Sequence, residues 1–210
     1  MHLFSRTLVL DAVTPENIGV AADVREYVSG ALGVELGLWA ASFGAPYGSM
    51  TFAGPADGLA GVAAMNAQLA DDTTYHAKAA ALRAIATGPA ESQLMNPLYG
   101  EVRGDGSPPI GAIATATTAI ADGPFDQVVA FGIELAQIAE AAIGMPVIFG
   151  AGVAGTFGEF GWLSVAPDAA AADAANEALT SNADYVAKIS ASTGMFVSGG
   201  AHRVVSTRVA

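Results

Sequence analysis

Apolar positions along the chain fall into short runs rich in large and β-branched residues, separated by longer stretches in which they recur every three or four residues. His2 to Leu10 is the first run and predicts a strand. Thr14-Pro15 opens a helix: Thr14 can cap it, Pro15 suits its first turn, and Gly33 can close it. Ile18, Ala21, Ala22, Val28 and Leu32 give that helix one buried face. Val34 to Phe43 and Tyr47 to Phe52 read as strands joined by Gly44-Ala45-Pro46. Residues from about Pro55 to Ala86 are helical, with a break near Asp71-Asp72, and Gln93 to Val102 forms a closing strand. The order is βαββαβ.

The second half repeats it. Ile110 to Ile120 is a Thr-bearing strand, and Phe125 to Ile143 is a helix stopped by Gly144 and Pro146. Pro146 to Val153 and Phe157 to Val165 form a strand pair, Pro167 to Ser190 a long Ala-rich helix, and His202 to Val209 the last strand. Sliding the sequence along itself by 110 residues brings Asn66, Leu69, Tyr75, Ala77 and Lys78 onto Asn176, Leu179, Tyr185, Ala187 and Lys188. The same offset places Gly48 on Gly158, Tyr47 on Phe157 and Phe52 on Trp162. Lys78 and Lys188 are the chain's only lysines, and they coincide. This register reads as a tandem duplication, with repeats at 1–104 and 105–210 and the turn-forming Gly104-Asp105-Gly106-Ser107-Pro108-Pro109 between them. Two βαββαβ units are two ferredoxin-like folds, an α+β class.

A third strand that leads into a helix through aromatic, Gly and Pro residues, then an Asn-x-x-Leu face and a polar break before an aromatic, resembles the dimeric α/β-barrel superfamily. Phe52 to Lys78 and Trp162 to Lys188 are most similar to its NIPSNAP-like and antibiotic-biosynthesis-monooxygenase-like branches. The resemblance implies that the two units pair around a single-chain barrel whose lumen binds something small. A sheet covered by helices on one face must bury the other, so strands apolar on both faces are expected.

Composition narrows the function classes. Hydrophobic residues make up 52% of the 210 residues and charged ones 13%, so the chain can bury a real core. With 8 basic against 20 acidic residues the net charge is −12, which disfavours nucleic acid and anionic membrane surfaces as partners. The absence of cysteine removes disulfides, thiolate nucleophiles and Cys-ligated metals. A mean hydropathy of +0.45 invites a membrane reading. However, Pro146 and the glycines at 144, 150, 152, 155 and 158 break the uncharged stretch from Ala141 to Gly158. Met1 to Leu10 carries Arg6 and has no cleavage site, so a cytoplasmic location is expected.

Gly150-Ala151-Gly152-Val153-Ala154-Gly155 matches a dinucleotide fingerprint, but a strand-like aromatic segment follows it where a helix is needed, which favours a Gly-rich hairpin. The histidines are His2, His76 and His202, without metal-ligand spacing. His76 lies in the first repeat's second helix, opposite Val186. It is an exposed helical residue, a general base, or, by the superfamily resemblance to haem-degrading enzymes, an axial haem ligand. Alternation puts His2, Phe4, Arg6 and Leu8 on one face of the first strand. If that face lines the lumen, Arg6 can hold a carboxylate or enolate oxygen; otherwise it bridges an acid such as Glu35 or Glu101. His202 and Arg208 share a face of the last strand and pose the same choice. Trp39, Tyr47, Tyr99 and Trp162 are either core or pocket-lining aromatics, and Thr115, Thr117 and Thr118 add hydroxyls. Lys78 and Lys188 read as solvated helix-end cations.

The expected protein is therefore a soluble barrel holding a hydrophobic small molecule in its lumen. Phe4, Trp39, Tyr47, Tyr99, Trp162 and His202 would contact the ligand, and Arg6 and His76 would act as a cofactor-independent oxygenase or isomerase pair. No metal is required, and a homo-oligomer is compatible. The alternatives are a packed barrel serving as an acidic scaffold and a haem protein using His76.

Overall fold

The computed structural model describes residues 1–102 and 107–210, so part of the expected linker, 103–106, lies outside the described residues. The first repeat comprises β1 (His2–Leu10), α1 (Pro15–Leu32), β2 (Gly37–Phe43), β3 (Ser49–Ala56), α2 (Gly58–Leu69), α3 (Thr73–Ala84) and β4 (Ala86–Tyr99). The second comprises β5 (Ile113–Ile120), α4 (Phe125–Ile143), β6 (Val147–Ala154), β7 (Glu159–Ala166), α5 (Ala169–Ser181), α6 (Ala183–Ser190) and β8 (His202–Arg208).

The strands close a barrel in the order β1-β3-β2-β8-β5-β7-β6-β4. Each repeat contributes a ferredoxin-like sheet, β4-β1-β3-β2 or β8-β5-β7-β6. The two sheets join through their edges: Trp39 pairs with Arg208 across β2 and β8, and Met95 with Gly152 across β4 and β6. An isolated unit would present two open edges, and closure removes both.

The helices form an outer layer. Thr14 caps α1 by accepting from the Asn17 N–H, and Gly33 ends it at φ 66°, where only glycine is unstrained. Asp72 caps α3 by accepting from the Tyr75 N–H at 2.9 Å, and Asn182 caps α6 through the Tyr185 N–H at 2.8 Å. The two caps are repeat equivalents. The second interrupts the long helix expected over 167–190, because an extended, side-chain-bonded Asn182 stops α5 and starts α6. The lysines also differ from expectation. Lys78 pairs with Asp23 of α1 over the Tyr27 ring, and Lys188 pairs with Glu134 of α4 over the Phe131 ring, so each ties two helices together.

Between sheet and helices lie two apolar cores. Leu8, Leu10, Leu38, Met50 and Phe52 meet Ala21, Val24 and Leu82 in the first repeat. Val147, Phe149 and Phe160 meet Val128, Ala136 and Ala139 in the second. β4 begins earlier than its pattern suggests, because Gly88-Pro89-Ala90 bulges out between the Thr7–Glu91 and Val9–Thr87 pairs. Gly150 and Gly152 lie on β6, as a glycine-rich hairpin requires. A Cβ at Gly150 would stand 2.6 Å from the Asn96 carbonyl oxygen, so close strand approach accounts for that glycine.

Candidate functional site

Two cavities flank β1, one on each face. The first is the barrel lumen, with a volume of about 810 Å³. Leu3, Ser5, Thr7 and Val9 point into it, joined by Trp39, Thr51, Met95 and Ala116 from other strands. Most of the wall is apolar, as strands apolar on both faces predict, with hydroxyls of Ser5, Thr7 and Thr51 set among the apolar side chains. A row of lumen-facing residues crosses adjacent strands from Arg208 through Trp39, Thr51 and Thr7 to Glu91. Within it the Thr7 and Thr51 hydroxyls are 2.8 Å apart. A Cβ at Gly37 would lie 2.6 Å from Trp39 Nε1, so that glycine provides room for the indole along the wall.

One end of the lumen is spanned by polar groups. Arg208, only 5% exposed, donates to Glu35 at 3.3 Å, to the Ala210 carbonyl at 3.2 Å and to the Pro108 carbonyl. The hydrogen bond from Ser107, then Arg208 and Arg25, hold the Glu35 carboxyl below its ordinary pKa against the opposing effect of burial. The other end is rimmed by Gly44-Ala45-Pro46 and by Glu91, Gln93, Glu159 and His202. Gln93 donates to Glu159 at 3.2 Å.

The second cavity, about 570 Å³, lies between the first repeat's sheet and its helices. Val24, Val28, Phe52, Val62, Met65 and Leu82 supply much of its apolar wall, and Asn66, Tyr75, Arg6 and Arg83 supply its polar groups. No carboxylate or imidazole is among its lining residues. Arg6 donates through Nε to Ser92 Oγ at 3.0 Å and lies over the Phe4 ring, 5.6 Å from its centroid. The ion pairs among the described residues use Arg25, Lys78, Lys188 and Arg208, so neither Arg6 nor Arg83 has a carboxylate partner there.

The corresponding layer of the second repeat is aromatic. Strand register matches Leu38, Met50 and Phe52 to Phe149, Phe160 and Trp162. Those rings stack, Phe149 on Phe160 at 5.7 Å and on Trp162 at 4.9 Å, while Phe196 closes on Trp162 and Phe131. Larger side chains therefore occupy the same positions.

The expected site residues therefore separate. Alternation along β1 holds, but its faces are reversed relative to the lumen reading: Phe4 and Arg6 face the helices. Leu8 and Leu10 set that orientation, since they bury fully only under α1 and α3. Trp39 and His202 line the lumen. Trp162 borders it, but its indole lies on the helix side and donates to the Gly132 carbonyl at 3.0 Å. Tyr99 is also on the helix side, where burial and Glu140 push its hydroxyl pKa up. Tyr47 is 82% exposed on the β2–β3 turn and lines neither cavity.

His76 lies outside both cavity linings, and its Nε2 bonds the Ala70 carbonyl at 2.7 Å, at the end of α2. A haem held at this helix would need that nitrogen facing a cavity, so these residues do not fit the group. Arg6 bridges neither Glu35 nor Glu101, and Glu35 belongs instead to Arg208 and Arg25. Sequence reasoning missed Arg83, Glu91 and Glu159. In a chain this acidic, the signal for Arg83 was its lack of a nearby acid on the helix surface.

No family model and no curated protein matches the chain. Solved structures do. A candidate monooxygenase from Fusobacterium nucleatum superposes with a TM-score of 0.71 at 12% identity, covering 100% of this chain and 92% of that one. A candidate monooxygenase from Lactobacillus acidophilus gives 0.61 at 13%, covering 99% and 93%, and an anthrone oxidase-like protein gives 0.61 at 12%, covering 100% and 91%. At these identities the likeness establishes the fold. The chain has the fold of the dimeric α/β-barrel superfamily, with both halves of the barrel in one polypeptide.

Proposed function

We propose that the protein binds an apolar, readily ionised aromatic molecule in the first repeat's sheet–helix cavity and oxygenates it with O2. The observation that carries this reading is a pair of arginines without acid partners on an otherwise apolar cavity, in a chain of net charge −12. Arg6 is half-buried beside that apolar wall and Arg83 stands exposed in the last turn of α3, and an anionic ligand gives both guanidiniums a charge-assisted partner. The monooxygenase and anthrone oxidase descriptions of the structural neighbours support the same class of chemistry.

The chemistry follows from the lining. With no carboxylate or imidazole there to take a proton, the substrate must itself be acidic, as a hydroxyaromatic or anthrone-type carbon acid is. The Nε bond to Ser92 holds the Arg6 guanidinium in place, and its terminal nitrogens are directed to the substrate oxygen, favouring the enolate. The apolar wall excludes water around that electron-rich anion. O2 takes electrons from the carbanionic carbon and bonds to it, and loss of water leaves a carbonyl. The sum is CH2 + O2 → C=O + H2O, which balances without an external reductant.

Calorimetry with an anthrone under anaerobic conditions, followed by oxygen-uptake measurements, tests the reading. Arg6→Gln is expected to weaken anaerobic binding by about tenfold or more, the weight of a charge-assisted hydrogen bond, and to slow turnover at least as much. Unchanged binding and turnover in Arg6→Gln would overturn it.

A further inference from the structure

We propose that the barrel lumen is a second, independent ligand site, selective for an apolar amine. Its volume is that of a small-molecule compartment, and Trp39 offers an aromatic face inside it. Its charge is opposite to that of the sheet–helix cavity. The lumen is lined by Glu35, Glu91, Glu159, Arg208 and His202. Glu35 and Arg208 pair with each other at one end. At the other, no cation among the described residues pairs with Glu91 or Glu159, and the half-buried Glu159 receives only the neutral Gln93 amide. A molecule entering from the acidic rim meets two carboxylates, then the Thr7 and Thr51 hydroxyls, then the Trp39 indole. That sequence suits an ammonium group on an aromatic or aliphatic body and repels a carboxylate.

The two compartments are close neighbours. Leu8 and Pro89 border both cavities, and Pro89 belongs to the β4 bulge opposite Leu8. Opposite electrostatics keep their ligands distinct across this thin wall. This inference stands apart from the proposed oxygenation, because it uses different residues on the other face of the sheet.

Titration with 1-naphthylmethylamine and with 1-naphthoate tests it, read by calorimetry and by Trp39 fluorescence with Trp39→Phe as the optical control. The amine is expected to quench Trp39. Its affinity should fall about tenfold in the Glu91→Gln/Glu159→Gln double variant, fall with added salt, and stay unchanged in Arg6→Gln. Naphthoate binding should show the reverse dependence on these variants. Amine affinity unaffected by the double variant, amine affinity lost in Arg6→Gln, or no amine binding at millimolar concentration would each overturn the proposal. Failure of the naphthoate arm alone would count against the sheet–helix cavity and leave the lumen result intact.

Discussion

At the scale of single residues, the arrangement depends on how each charge is partnered. Arg208 is buried at one end of the lumen, and Glu35 is the carboxylate that neutralises it. Because the Glu35 pKa is lowered on folding, its contribution to stability is present above the ordinary glutamate value and is lost as pH falls through the lower folded value. Urea unfolding followed from pH 6 to pH 3 should therefore show the native chain losing stability below about pH 4 relative to Glu35→Gln, whose acid limb should be flatter. A parallel loss in both proteins would show that Glu35 does not act this way. Sequence alone could nominate Glu35 as an acid that bridges an arginine. It could not show which arginine, since Arg6 and Arg208 lie on different faces of the barrel wall.

At the scale of elements, the two repeats use one plan with different side-chain volumes. Equivalent caps at Asp72 and Asn182, and equivalent lysine ties from α3 to α1 and from α6 to α4, keep the helices in matching places. Over that common frame the second repeat packs Phe149, Phe160 and Trp162 where the first has the smaller Leu38, Met50 and Phe52, and the first repeat holds the sheet–helix cavity. Val62 of α2 lines that cavity, and Val62→Phe should fill part of it. The variant is expected to melt no lower than the native chain while losing anaerobic anthrone binding, because cavity filling adds contacts where the ligand would lie. Calorimetry and a thermal melt on the same sample separate this from simple misfolding. The duplication was legible because Asn, Tyr and Lys recur in register. The cavity was not, because it depends on volumes summed across β2, β3, α1, α2 and α3.

At the scale of the whole molecule, closure couples the repeats. β2 pairs with β8 and β4 with β6, so a chain ending at Val102 would expose two strand edges and the lumen face of one sheet. Residues 1–102 expressed alone should therefore self-associate, with light scattering giving a dimer or larger species in place of a monomer of half the native mass. A stable monomer would show that the edge pairing contributes little. Among the described residues, no helix is long and apolar enough to cross a membrane.

The sequence by itself determined the order of the strands, the cap and stop of α1 and the duplication, because periodicity, capping and turn chemistry act over a few residues; the barrel came from the family resemblance. It also determined that β1 has one face carrying Phe4 and Arg6 and another carrying Ser5 and Thr7. Only the tertiary structure decided which face met the lumen. A strand's alternation is symmetric until the burial of Leu8 and Leu10 against specific helices selects a side. The same packing separated Trp39 from Trp162, moved His76 away from both cavities and placed two arginines over apolar space. These outcomes depend on distant side chains competing for one volume, which local pattern does not encode.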